Sequence, residues 1–341
     1  MAYRLVCVFG VVIALSISGR TQEASSSNNA PVSVPVTITE TVDQTYKAMI
    51  SVGIGSVQPL SITLDTGSVG LVVFDVPGIP GNGVTCNDPF SKSFGNPLRV
   101  TYSGIICSGP INLAGVISTR PIRFGLLTAT TFCAKGFQCK TPQENYAAGI
   151  YGVFGAGITP GLELPNPLRT LPGAYGRRFM LRLNANTDVP SSLILAPVWR
   201  FNAAIFPQGE QTVGARKLPT YGKGLGCVLV NTQAASVCSL VSFDTGNGVP
   251  WFHANIPNLP TVASNGTTLV APGTTIGVAP RLGGPSVITL VAGDSFAEEF
   301  RYEDLKSDLI NVSIQAFFAN DVIFDGEQGV ITVAPTNASP E

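Results

Sequence analysis

Two stretches of this chain end an apolar run on the same three residues. Residues 62–74 read Ile-Thr-Leu-Asp65-Thr66-Gly67-Ser68-Val-Gly-Leu-Val-Val-Phe, and residues 241–252 read Val-Ser-Phe-Asp244-Thr245-Gly246-Asn247-Gly-Val-Pro-Trp-Phe. A carboxylate directly after an apolar strand is carried at the strand's tip, and the glycine lets the chain turn tightly behind it. One such site is an ordinary turn. Two in matching contexts, one in each half of the chain, predict a duplicated unit that brings two carboxylates together. Carboxyls a hydrogen bond apart cannot both ionise readily, so the pair keeps one proton. Such a pair activates a water and protonates a leaving group without a metal or a covalent nucleophile.

The elements that must carry these residues are strands. Only 12% of the 341 residues are charged, whereas Gly (37) and Pro (26) are abundant. Val, Ile and Thr recur in short alternating runs with no long helical stripe, which predicts an all-β chain with many turns. The length suffices for two lobes, each with its own core. The formal charge is −1 and the pI about 5.9, with no basic stripe, so nucleic acid is not an expected partner.

The N-terminus carries Arg4, an apolar run from Leu5 to Ile17, and then small and polar residues from Ser18 to Asn29. This is the form of a secretory signal peptide, placed at 1–21, with no stable membrane insertion after its removal. The expected location is extracellular, or periplasmic in a bacterium. Residues 22–44 are Ser/Asn/Pro-rich and then alternate Val and Thr, predicting a linker that leads into an edge strand. Past Cys7 six cysteines remain, an even number that suggests disulfides in an exported chain. Short separations favour Cys133–Cys139 and Cys227–Cys238, leaving Cys86–Cys107 by elimination. His253 has no Cys or carboxylate close in sequence, so neither a metal site nor another cofactor is expected. Of the glycosylation sequons at Asn265, Asn311 and Asn337, Asn311 falls in a segment expected to be buried.

From Tyr46 onward the chain resembles the pepsin-like aspartic proteases. Tyr46-Lys-Ala-Met-Ile-Ser-Val-Gly53-Ile-Gly55 and Leu60-Ser-Ile-Thr-Leu-Asp65 look like that family's opening hairpin and first Asp loop. Arg99-Val-Thr-Tyr102-Ser103-Gly104 through Gly109 fall where the family has its flap, a hairpin folding over the substrate. Gly149-Ile-Tyr-Gly152-Val-Phe-Gly155 resembles the glycine element packed behind the first loop. Phe179–Asn184 with Ser191–Ala196, and Val312–Asp325 with Gly329–Pro335, resemble the lobe crossing and the closing strands. The resemblance spans about residues 46–335. It implies a bilobal fold with an N-terminal lobe at 45–198, a C-terminal lobe at 199–335 and a tail at 336–341.

By the same resemblance Asp65 and Asp244 are the catalytic pair. Thr66 and Thr245 tie the two loops together through hydroxyl-to-backbone bonds, and Gly67 and Gly246 turn backbone N–H groups toward the carboxylates. Ser68 would bond the outer oxygen of Asp65, with the Asn247 amide in the corresponding place after the second glycine. Tyr102, Ser103 and Gly104 would belong to the flap and touch substrate. The chain departs from the pattern at Val72, where the family has a Trp, at Asn247, at Ser103, and at Ser313, where a glycine is expected. No Lys/Arg-rich prosegment of the family's kind is visible. Trp251 and His253 either line a substrate pocket or are, respectively, a core and a surface residue.

These residues imply a monomeric, exported aspartic endopeptidase acting on peptide or protein substrates, with an acidic to mildly acidic optimum. The alternative is a catalytically silent protein of the same fold that serves as a binding or enzyme-inhibitor module.

Overall fold

A computed structural model of the chain describes residues 30–40, 45–74, 76–94, 100–134, 140–142, 149–157, 164–186, 188–198, 203–213, 216–231, 233, 237–264, 266–294, 299–303 and 309–336. The expected signal segment, Cys139, Asn265 and Asn337 lie outside these residues. The described part holds 24 strands and three short 3-10 helices. Alternation sets the faces: in Val32–Glu40, Val34, Val36 and Ile38 point inward while Ser33, Pro35 and Thr37 face solvent. Where a strand is covered on both sides alternation vanishes, and Val69–Phe74 is buried along its whole length.

Each Asp loop is opened by a strand wedged between its two legs. In the first half, Val57–Asp65 enters the loop and Val69–Phe74 leaves it. Gly152–Ala156 lies between them, parallel to the first with Gly155 opposite Asp65, and antiparallel to the second with Gly155 opposite Gly70. In the second half, Val237–Ser242 enters and Trp251–His253 leaves. Leu309–Asn311 takes the wedge position, parallel to the former and antiparallel to the latter. The legs therefore cannot pair with each other, and the loop tips stand clear of both sheets.

The halves meet in a shared antiparallel layer. Val32–Val36 pairs with Ser191–Leu195, which pairs with Arg178–Arg182, and this pairs in turn with Asn320–Asp325. Val330–Pro335 and then Ala204–Pro207 complete the layer. Phe179 and Phe324 stack across it with ring centroids 4.7 Å apart. Arg182 grips the buried Asp321 carboxylate through Nε at 3.0 Å and Nη2 at 2.5 Å, tying one half of the chain to the other.

Two expectations change here. Val32–Glu40 is not an edge strand: its first part pairs with Ser191–Leu195 and its last part with Tyr46–Ile54. The segment at 99–109 is not a hairpin by itself. Val100–Gly109 is one strand, paired on one side with Thr85–Phe94 and on the other with Ile122–Cys133. The hairpin is formed by Thr85–Phe94 and Val100–Gly109, and residues 95–99 between them lie outside the described residues.

Candidate active site

Asp65 and Asp244 converge from the two loop tips. A methyl group built on Gly246 would lie 2.2 Å from the Asp65 Cγ, and one on Gly67 would lie 2.2 Å from the Asp244 Cγ. Each carboxyl thus occupies the space a side chain would need on the opposite loop, and glycine is required at both positions. The Gly67 and Ser68 N–H groups donate to Asp65 Oδ1 at 2.9 and 3.0 Å, and the Gly246 N–H donates to Asp244 Oδ1 at 2.9 Å. Ser68 therefore reaches Asp65 through its backbone.

Behind the carboxyls, two buried threonines lock the loops together. Thr66 Oγ1 donates to the Phe243 carbonyl at 2.6 Å and accepts from the Thr245 N–H at 3.0 Å. Thr245 Oγ1 donates to the Leu64 carbonyl at 2.7 Å and accepts from the Thr66 N–H at 3.1 Å. Four reciprocal bonds between residues nearly 180 apart in sequence fix the spacing of the two tips, each contributing about 1 kcal/mol.

The amide that reaches Asp244 is not that of Asn247, which meets its surroundings here through its backbone: its N–H lies 3.4 Å from the Asp244 carbonyl and its own carbonyl accepts from Ile314. Asn311 supplies the contact instead, donating Nδ2 to Asp244 Oδ2 at 2.7 Å while its Oδ1 accepts from the Ser313 N–H at 2.9 Å. Asn311 stands on the wedge strand, with Ser242 and Trp251 opposite it on its two sides. Its recognisable signal was its place just before Val312-Ser313; as a sequon it pointed elsewhere. Val153 and Val72 are paired in the first half as Asn311 and Trp251 are in the second, so Trp251 holds there the position that Val72 holds.

Burial foremost, then the charge of Asp65, push the Asp244 carboxyl up to about 7. A hydrogen bond with Asp65 acts in the same direction, while Asn311 and the ammonium of Lys47 oppose it. Three lysines surround the pair, and sequence reasoning singled out none of them. Lys47 Nζ donates to the Gly246 carbonyl. Lys92 Nζ donates to the Val69 carbonyl at 3.3 Å. Burial holds the Lys92 and Lys223 ammoniums below the usual lysine range, opposed by the charges of Asp65 and Asp244 respectively.

Tyr102 is 1% exposed, inside a small core with Val72, Phe74, Phe90, Ile106 and Leu127. Its ring lies 5.8 Å from that of Phe94 and 6.5 Å from that of Phe74. It therefore supports the hairpin from beneath. Gly104 marks a bulge where a methyl group would lie 1.8 Å from the Leu126 carbonyl oxygen, so its requirement is strand contact. Ser103 is half-buried in the same strand. Disulfides join Cys86 to Cys107 and Cys227 to Cys238, each across a pair of antiparallel strands. Cys133 is disulfide-bonded. His253 is buried rather than on the surface, its ring 4.6 Å from that of Trp251 and its Nδ1 3.8 Å from Glu303. Ser313 adopts φ 55° and ψ −172°, a conformation suited to the glycine expected there. Among the described residues no cluster of three or more His, Cys, Asp or Glu side chains forms a metal site, and no helix is long and apolar enough to cross a membrane.

No protein-family model and no curated protein matches the sequence. Among solved structures, the chain is similar to an aspartic proteinase from Irpex lacteus, with a TM-score of 0.62 over 91% of this chain and 98% of that one. The two sequences are 14% identical over this match, so the likeness is one of fold. The chain has the bilobal, all-β, pepsin-like aspartic proteinase fold.

Proposed function

We propose that the protein is an exported aspartic endopeptidase, with Asp65 and Asp244 as its catalytic pair. The observation that carries this reading is the reciprocal seating of each carboxyl on the other loop's glycine, with the Asp244 carboxyl raised to about 7. Below that pH the Asp244 carboxyl keeps its proton. Burial keeps the proton on Asp244, so Asp244 acts as the acid and Asp65 as the base. Asp65 takes a proton from a water between the carboxyls, and that water attacks the scissile carbonyl. Asp244 donates to the carbonyl oxygen, and proton return to the leaving amine completes hydrolysis.

The peptide lies between a lobe at 45–198 and a lobe at 199–335, beneath the Thr85–Gly109 hairpin, with the layer at the base shared by both. Export through the N-terminal apolar segment agrees with the cross-strand disulfides, which persist in oxidising compartments. The protein acts as a monomer on peptide or protein substrates. A silent binding module would need neither carboxyl nor the two glycines, and nothing in the site favours that reading. The test is hydrolysis of an unbiased peptide mixture between pH 3 and 7 by wild type and Asp65→Asn. Cleavage lost in the variant supports the pair as catalytic; equal, negligible cleavage by both overturns the reading.

A further inference from the structure

Lys92 stands where the strand pattern calls for an apolar residue. In Thr85–Phe94 the alternation holds from Phe90 onward: Ser91 and Ser93 are exposed, while buried Phe90 and half-buried Lys92 and Phe94 share the inward face. Phe90 belongs to the small core under the hairpin, and Phe94 packs against it. A methionine or leucine would pack there at less cost, because an ammonium loses hydration on burial. One of the three Lys92 N–H donors is met by the Val69 carbonyl, at the start of the strand that leaves the first Asp loop. No other protein acceptor is bonded to it among the described residues, and the charge acting on it is that of Asp65. That carboxylate is already engaged by the Gly67 and Ser68 N–H groups.

Lys47 repeats the arrangement on the other side, its ammonium on the Gly246 carbonyl of the second loop. Lys223, half-buried opposite Ser242, adds a third cation within electrostatic reach of Asp244. Three ammoniums therefore act on two carboxyls of which Asp244 holds a proton, so positive charge predominates immediately around the pair.

We propose that this cleft selects peptides bearing a carboxylate side chain beside the scissile bond, with Lys92 as its contact. The inference rests on the peptidase reading for its substrate. A glutamate or aspartate side chain laid under the hairpin would accept from the two remaining Lys92 donors, forming a charge-assisted pair at a half-buried ammonium. Lys47 and Lys223 would add longer-range attraction. A lysine side chain at the same position would meet like charge and be excluded.

The test uses matched peptides differing only at the residues flanking the cut, with Glu, Gln, Leu or Lys there, each also made with a reduced, non-hydrolysable central bond. Wild type is expected to favour Glu over Gln by about tenfold in kcat/KM, and in Kd for the reduced peptides. Lys92→Gln should erase that preference, Lys92→Arg keep it, and Lys92→Glu reverse it toward Lys. A purely structural tether to Val69 would lose stability in these variants without inverting selectivity, and melting curves on each separate the two cases. Cleavage with Glu and Gln peptides equivalent would overturn the inference while leaving the peptidase reading intact. Binding selective for the acidic reduced peptide, without cleavage of any peptide, would overturn the peptidase reading and support the charge selection. Absence of both would overturn both.

Discussion

Asp244 fills the place that a side chain on Gly67 would take: a methyl group there would lie 2.2 Å from the Asp244 Cγ. The same relation links Gly246 to Asp65. The two carboxyls are thus placed by what each loop lacks, on tips whose spacing the Thr66 and Thr245 hydroxyls hold. Gly67→Ala must displace the Asp244 carboxyl or separate the loops. A displacement near 1 Å lowers the rate by about a hundredfold or more. The expected result is a folded protein with kcat/KM reduced at least that far and a melting temperature that falls only slightly. An alanine variant with wild-type activity would mean that the pair is not held in this way.

Asn311 donates to Asp244 and so favours its charged form, opposing the upward push from burial and Asp65. Removing the amide in Asn311→Leu should raise the Asp244 carboxyl above its value of about 7 and move the alkaline limb of the pH–kcat/KM profile upward. Each unit of movement increases the protonated fraction on that limb by about tenfold. Lys47→Met should move the limb in the same direction, since the Lys47 charge also favours the ionised form. A limb that stays in place or moves to lower pH contradicts the assignment.

Stability should carry the same signature. The Asp244 carboxyl titrates near 3.8 unfolded and at about 7 folded, so between these values the folded protein binds more protons than the unfolded chain. Its contribution to stability then falls as pH rises through that window, and above it the full penalty of a buried charge remains. Thermal unfolding of wild type and Asp244→Asn at intervals from pH 4 to 8 checks this. The variant should gain on wild type steadily as pH rises and level off above 7. A difference independent of pH would exclude the linkage.

Ser313 is fully buried with φ 55° and ψ −172°, a region open almost only to glycine. Its hydroxyl accepts a long bond of 3.3 Å from the Gln315 N–H, which offsets little of the strain. Ser313→Gly should therefore stabilise the protein by roughly 1 kcal/mol, or about 2 °C in melting temperature for a chain of this size. Calorimetry that finds a loss of that size would show the hydroxyl to matter more than the backbone.

Much of this was legible in the chain itself. Period-two alternation and the density of turn residues predict an all-β protein. The repeated Asp-Thr-Gly ends two strands, and cysteines 11 and 21 residues apart pair across antiparallel strands. These are local properties: side-chain direction, glycine turns and short loop closures are set by neighbours in sequence. Tertiary structure decided what depends on distant segments meeting. Tyr102 has the sequence context of a flap residue, but packing between three strands puts its ring in a core. Asn247 follows the second loop as expected, yet the wedge strand brings Asn311 to Asp244 from 67 residues away. Lys47, Lys92 and Lys223 carry no motif; only the closure of the two halves puts three ammoniums around one pair of carboxyls. Charge acts through space, and the sequence orders residues only along the chain.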